Sequence, residues 1–173
     1  AGMARVAQGD LVAAVSEAGG MGCLGGVSYM PDELRNEIRS IRQKTNKPFA
    51  VDLVVPEVLL ADEASGAWKP VRDVWDRLTP AQRNKLKGVE AMLTPGAVQG
   101  QIDVIMEERP PVLVLTFNVP KYIVDACHER GMQTMALCGS VGRAVAAEPA
   151  GVDYLVAQGA EGGGHTGYVG TLA

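Results

Sequence analysis

The sequence contains two histidines, and one of them, His165, lies in the glycine-rich segment "AEGGGHTG" (160–167). This segment follows "YLVAQG" (154–159), an apolar stretch typical of a buried strand. An imidazole with its ordinary pKa of about 6.5 can transfer protons at neutral pH. The glycines before it leave the backbone open to a flat ligand, because they carry no side chains. His165 is therefore a candidate general base, with a surface or capping histidine as the plainer interpretation.

Few other residues stand out as able to take part in chemistry. Asp52 is a single carboxylate in the apolar run "PFAVDLVVP" (48–56), which indicates either a hydrogen-bonded residue at a strand end or a ligand contact. His128 lies within "VDACHERG" (124–131), and we interpret it as a solvent-facing helix residue. The three cysteines, Cys23, Cys127 and Cys138, show no CxxC spacing. They indicate reduced, buried thiols and no zinc site.

The elements that would position these residues alternate along the chain. Helical periodicity or helix-end signals predict helices over 10–18, 31–44, 96–108, 121–130 and 140–147. Apolar runs predict strands over 21–29, 48–56, 111–117, 132–139 and 151–159. Residues 57–93 break the rhythm, and two polar amphipathic stretches there predict a helical insertion. The alternation indicates an α/β fold with a parallel sheet.

Periodicity leaves the type of parallel sheet open. A flavodoxin-like open sheet would be complete at this length, whereas a (β/α)8 barrel typically needs about 250 residues. The dinucleotide spacing GxGxxG occurs in "GGMGCLGG" (19–26), but there a helix precedes it and a strand follows, the reverse of the dinucleotide-binding arrangement. The same spacing in "GGGHTG" (162–167) follows a strand, so a Rossmann-type sheet stays a minor alternative.

Charge and hydropathy exclude several classes of partner. The formal net charge is −4, which gives no electrostatic support for nucleic-acid binding. No apolar run reaches the roughly 18–20 residues of a membrane helix, and no targeting signal is recognised. We expect a cytoplasmic protein with no nucleic-acid or membrane partner.

Four segments in order carry a resemblance to a known family. They are "AGMARVAQGDLVAAVSEAGGMGCLGG", "IRSIRQKTNKPFAVDLVVP", "LTFNVPKYIVDACHERGMQTMALCGSVGRAVAAEPAGVDYLVAQG" and "AEGGGHTG". The chain resembles the nitronate monooxygenases, FMN-dependent enzymes formerly called 2-nitropropane dioxygenases. The resemblance implies a (β/α)8 barrel that holds FMN across the carboxyl ends of its strands. It also implies oxidation of alkyl nitronates, with O2 as co-substrate, to carbonyl compounds and nitrite.

The resemblance implies a role for each matching residue. His165 matches the catalytic histidine, which accepts the substrate's α-proton or orients the nitronate. Some relatives carry a flavin-contacting lysine where Leu137 stands here, so the source of that positive charge is open. The residues implied to contact FMN are Gly2, Met3, Ala4, Asp52, Val54, Gln158, Gly163 and Gly164.

Against this family, the chain matches only the tail of strand one and strands two to six. We therefore expect residues 1–173 to form a single truncated barrel domain, with the insertion 57–93 inside it. Such a partial barrel would bind FMN weakly, because barrel phosphate sites typically come from the loops after strands seven and eight. A homodimer is left open. Related flavin reductases that act on quinones or enoyl-acyl carriers, or a non-catalytic flavin-binding fragment, are the functional alternatives.

Overall fold

A computed structural model describes residues 2–55, 73–74, 76–85, 95–164 and 170 of the chain. Strands and helices alternate along these residues. The strands are β1 (Gly22–Gly25), β2 (Phe49–Val54), β3 (Val112–Thr116), β4 (Gln133–Cys138) and β5 (Tyr154–Ala157). The helices are α1 (Gly9–Glu17), α2 (Pro31–Lys44), α3 (Pro80–Lys85), α4 (Pro95–Glu108), α5 (Lys121–His128) and α6 (Val141–Ala147). Short 3-10 turns cover Gly26–Ser28 and Glu148–Ala150.

Helix α2 shows why local sequence sets these elements. Pro31 occupies the first helical position, where its missing N–H costs nothing. The Glu33 carboxylate accepts a hydrogen bond from the backbone N–H of Met30 at 3.0 Å, which closes the first turn. Leu34, Ile38 and Ile41 then recur at helical spacing, and all three are buried. The helix has the bounds that the sequence predicts.

The five strands form one parallel sheet in the order β1-β2-β3-β4-β5. In a flavodoxin-like or Rossmann sheet the order of the strands reverses at a switch point, which places β1 in the interior of the sheet. Strictly sequential order is that of consecutive strands in a (β/α)8 barrel. The prediction of an α/β partial barrel is confirmed, and the two open-sheet alternatives are wrong for the described strands.

The two faces of the sheet differ, because successive side chains on a strand point to opposite sides. Phe49, Val51 and Leu53 of β2 face the helices and belong to the large core cluster. The alternate residues of β2 face the concave side of the sheet, where Ala50 packs with the interior positions of neighbouring strands. Those neighbours are Cys23, Val112, Val114, Met135 and Leu137. The concave side therefore carries Asp52 and Val54 at the carboxyl end of β2.

Element bounds differ from prediction mainly at strand ends. The predicted strand 151–159 is shortened to β5, because Gly151 has φ +80 and closes the preceding 3-10 turn. The predicted helix 121–130 ends at His128, before Gly131 with φ +73. Helix α3 lies within the predicted insertion 57–93. Most of that insertion, including Trp68 and Trp75, lies outside the described residues, so the predicted domain boundaries stay a prediction.

Candidate active site

The carboxyl ends of all five strands meet at one edge of the sheet, and the turn at residues 2–7 lies on it. The Met3 carbonyl accepts hydrogen bonds from the N–H groups of Val6 (3.1 Å) and Ala7 (2.8 Å). The Ala7 carbonyl in turn accepts from the N–H of Gly25, the last residue of β1, at 3.2 Å. A Cβ on Gly25 would lie 2.9 Å from the Met3 carbonyl carbon, so this close approach requires glycine. The turn is thereby fixed against β1.

Asp52 lies beside this turn on the concave face of β2. Its side chain is buried, with 7% of the residue exposed, and Oδ1 accepts a hydrogen bond from the Thr116 hydroxyl at 2.8 Å. Burial raises the pKa of Asp52 to about 6, and the Thr116 hydrogen bond opposes that rise. A Cβ on Gly2 would overlap the Asp52 carboxylate, so only glycine fits there. Asp52 is thus a buried carboxylate whose ionisation lies near neutral pH.

The glycine-rich loop after β5 reaches the same place. Gln158 donates from its side-chain amide to the Gly163 carbonyl at 3.1 Å, which folds the loop back on the strand end. A Cβ on Gly163 would lie 2.7 Å from the Met3 sulfur, so the Met3 side chain lies directly on the loop. Gly164 has φ +80, and its Cβ position is 3.6 Å from Met3 Cγ. The turn at residues 2–7 and the glycine-rich loop after β5 therefore meet at Met3.

Seven predicted cofactor-contact residues come together in this way, joined through Met3 and Asp52. They are Gly2, Met3, Ala4, Asp52, Gln158, Gly163 and Gly164. Val54, the eighth, ends β2 half-buried, beside Thr116 in the parallel register. His165 lies outside the described residues, so its role stays a prediction. The glycines that precede it are described and lie at this edge of the sheet.

Thr116 is the site residue that sequence reasoning missed. It is 7% exposed and ends β3, where it pairs with Val54, and its hydroxyl reaches back to Asp52 on the same face of the sheet. The signal was present, since "PVLVLTF" holds one hydroxyl in an otherwise apolar run, as "PFAVDLVVP" holds one carboxylate. Leu137 lies on the concave face of β4, as expected of a residue in the place of a flavin-contacting side chain.

His128 lies at the opposite edge of the sheet. Its Nε2 is 3.0 Å from Oδ2 of Asp153, which also accepts from the backbone N–H of Thr134 at 2.6 Å. Thr134 is the second residue of β4 and Asp153 immediately precedes β5, so the cluster marks the amino ends of these strands. His128 is exposed at the end of α5, so its interpretation as a solvent-facing helix residue is confirmed, and its imidazole also contacts the Asp153 carboxylate. At this end of a β/α barrel such contacts stabilise the fold.

The residues at the carboxyl edge suit a flat, polar-edged ring such as the isoalloxazine of FMN. Asp52 supplies a hydrogen-bond acceptor for a ring N–H. Gly2, Gly163 and Gly164 bring backbone rather than side chains to the surface. Among the described residues no group of three or more potential metal ligands occurs, and no helix there has the length and apolarity needed to span a membrane.

Fold and site together define a protein with a partial β/α barrel and a candidate ligand site at the carboxyl ends of its strands. The family model of nitronate monooxygenase matches residues 1–173, and the chain belongs to the nitronate monooxygenase family. A probable nitronate monooxygenase of Staphylococcus saprophyticus is 35% identical over 96% of this chain, and one of Staphylococcus aureus strain N315 is 34% identical over the same share. The chain spans 46% of each of these relatives.

Two solved structures share the fold. A single-site variant of FabK from Thermotoga maritima superposes with a TM-score of 0.72 and 29% identity, over all of this chain and 46% of that one. A nitroalkane oxidase from Streptomyces ansochromogenes superposes with a TM-score of 0.71 and 28% identity, over 96% of this chain and 47% of that one. The partial-barrel topology is therefore shared with proteins about twice as long.

Proposed function

We propose that the protein is an FMN-dependent oxidoreductase that oxidises alkyl nitronates with O2 to carbonyl compounds and nitrite. Membership of the nitronate monooxygenase family supports this class of reaction. The observation that carries it is the meeting of the residue 2–4 turn, Asp52 and the glycine loop at the carboxyl edge of the sheet. Bound FMN would supply the electron transfer between nitronate and O2.

The chain's own residues would bind and orient the reactants. Asp52 would accept a hydrogen bond from the polar edge of the flavin ring. Gly2 carries no side chain, so it leaves the space beside this carboxylate free. Gln158 would hold the glycine loop in place through the Gly163 carbonyl. An imidazole nitrogen of His165 would take the proton from the carbon that bears the nitro group. A general base of this kind typically contributes about 10²–10⁴-fold to the rate.

The test uses the natural full-length protein. Stoichiometric FMN should be visible in its absorption spectrum, and a preformed alkyl nitronate should release nitrite under air. His165→Asn should lower turnover of the neutral nitroalkane at least about 100-fold and spare most turnover of the preformed nitronate. His128→Asn is the matched control, because that histidine lies at the opposite edge of the sheet.

Three results would contradict the proposal. Equal losses on both substrates in His165→Asn would indicate a binding role in place of proton transfer. Bound flavin without nitrite release would favour the non-catalytic alternative. Steady oxidation of NADH without turnover of nitronate would favour a flavin reductase, and the structural likeness to FabK makes that assay a necessary comparison.

A further inference from the structure

We infer that Thr116 is a positioning residue, whose hydroxyl fixes the Asp52 carboxylate so that one oxygen is held for the flavin's polar edge. The inference rests on the proposed function and names a residue that the resemblance to the family does not assign. It depends on three features of the carboxyl edge: the burial of both side chains, the direction of their hydrogen bond, and the position of Gly2.

The hydrogen bond has a defined direction, which determines what it does. A buried carboxylate only accepts when ionised, so the Thr116 hydroxyl donates its proton to Oδ1, across 2.8 Å. Both residues are 7% exposed, so water does not compete strongly for either group. The bond therefore selects one rotamer of Asp52 and favours its ionised form.

The second carboxylate oxygen lies on the other side, towards the residue 2–4 turn. A Cβ built on Gly2 would overlap Oδ2 of Asp52, so this oxygen lies directly against the Gly2 backbone. Oδ1 accepts from Thr116, and Oδ2 is the carboxylate oxygen that lies beside Gly2, in the segment predicted to contact the flavin. Without the hydroxyl, the carboxylate would be free to rotate about χ2, a broad torsion with no sharp preference of its own.

The surroundings of Asp52 offer few other groups that could take over this task. Among the described residues that face it, the titratable one is Cys23 on β1, whose pKa burial raises to about 12, with the Asp52 charge adding to the rise. Cys23 is therefore a neutral thiol at physiological pH and a weak donor. The strands flanking Asp52 otherwise present apolar side chains to the concave face. Thr116 is the strong donor to Asp52 within the described part of the site.

The experiment compares Thr116→Val, Thr116→Ser and wild type in the natural full-length protein. Valine keeps the shape and removes the hydroxyl, whereas serine keeps the hydroxyl. We measure the FMN dissociation constant by fluorescence quenching between pH 5 and 9, and the Asp52 pKa by carboxyl-carbon NMR of the apoprotein. Thr116→Val should weaken FMN binding about tenfold at pH 7 and raise the Asp52 pKa by about one unit. Thr116→Ser should remain within about threefold of wild type.

The outcomes separate the inference from the proposed function. Wild type that binds no FMN would overturn the proposed function, and the role of Thr116 towards the flavin would fall with it. Wild type that binds FMN, with an unchanged dissociation constant and an unchanged Asp52 pKa in Thr116→Val, would overturn the inference alone. A loss in Thr116→Val that Thr116→Ser does not restore would also overturn it, since it would indicate packing. If Thr116→Val does not fold, Thr116→Ala carries the same expectation.

Discussion

Removing the charge of Asp52 should make the fold more stable at neutral pH, and the gain should depend on pH. The carboxyl is buried, and its pKa is raised from 3.8 to about 6, mainly by burial. When the pKa of an acid is raised in the folded state, the stability gained from its protonated form is fully present below the unfolded-state pKa. It is lost as pH rises through the folded-state value. One pKa unit corresponds to about 1.4 kcal/mol, so ionisation costs the folded state about 3 kcal/mol above pH 6.

The substitution that tests this is Asp52→Asn, which keeps the shape and an oxygen able to accept from Thr116. The free energy of unfolding of Asp52→Asn minus that of wild type should rise by about 2 kcal/mol between pH 4 and pH 7, since wild type is already partly affected at pH 4. The new amide N–H group could add an offset, but that offset is the same at every pH. The assay is urea unfolding followed by far-ultraviolet circular dichroism at pH 4, 5, 6 and 7.

The control is Asp103→Asn, which removes a carboxylate that is exposed on α4 and accepts from Gln99 at 2.8 Å. An exposed substitution of this kind typically changes stability by less than about 0.5 kcal/mol. A difference between Asp52→Asn and wild type that stays constant from pH 4 to 7 would refute the reasoning. It would mean that the Asp52 carboxylate is better solvated than its burial implies.

Three further substitutions test other parts of the fold by urea unfolding at pH 7. Gly22→Ala should destabilise by about 1–3 kcal/mol or more, because its Cβ would overlap the backbone carbonyl of Val12 in α1; a neutral result would mean that α1 shifts freely. Phe117 has φ +74, so Phe117→Gly should be more stable than Phe117→Ala by about 1 kcal/mol, and the opposite order would argue against backbone strain. Partial burial acts to raise the Asp153 pKa, but hydrogen bonds from Thr134 and the neighbouring histidine lower it overall. Asp153→Asn should therefore destabilise by about 1 kcal/mol at pH 7, a loss that shrinks as pH falls through the carboxyl's pKa; a loss that grows instead would contradict the assignment.

Parts of the fold could be predicted because their causes are local. Helix α2 has the predicted bounds, since Pro31, the Glu33 capping contact and the Leu34–Ile38–Ile41 stripe all lie within it. Continuous apolar runs likewise predict strands covered on both faces. The order of the strands has no such local cause. Several parallel sheets can be built from the same alternation, and only the pairing of distant strands selects the sequential order.

The residues of the candidate site also differ in whether the sequence alone could predict them. Asp52 and the glycine loop stand out in the sequence, because a carboxylate is unusual in an apolar strand and three consecutive glycines are unusual anywhere. His165 stands out by its place after an apolar run and behind three glycines, and the catalytic role that the resemblance implies for it stays a prediction. Thr116 was overlooked, since its link to the candidate site is a hydrogen bond to a residue 64 positions earlier.

The sequence by itself determined the alternation of helices and strands, the kinds of chemistry available and the negative net charge. Only the tertiary structure decided which of those residues meet. Met3 lies on Gly163, and Gly2 lies against Asp52, through contacts between segments far apart in the chain. Periodicity and composition report the environment of a residue along its own element. They carry no information on the distance between two elements, which is set by how the strands pair and how the loops at their carboxyl ends pack together.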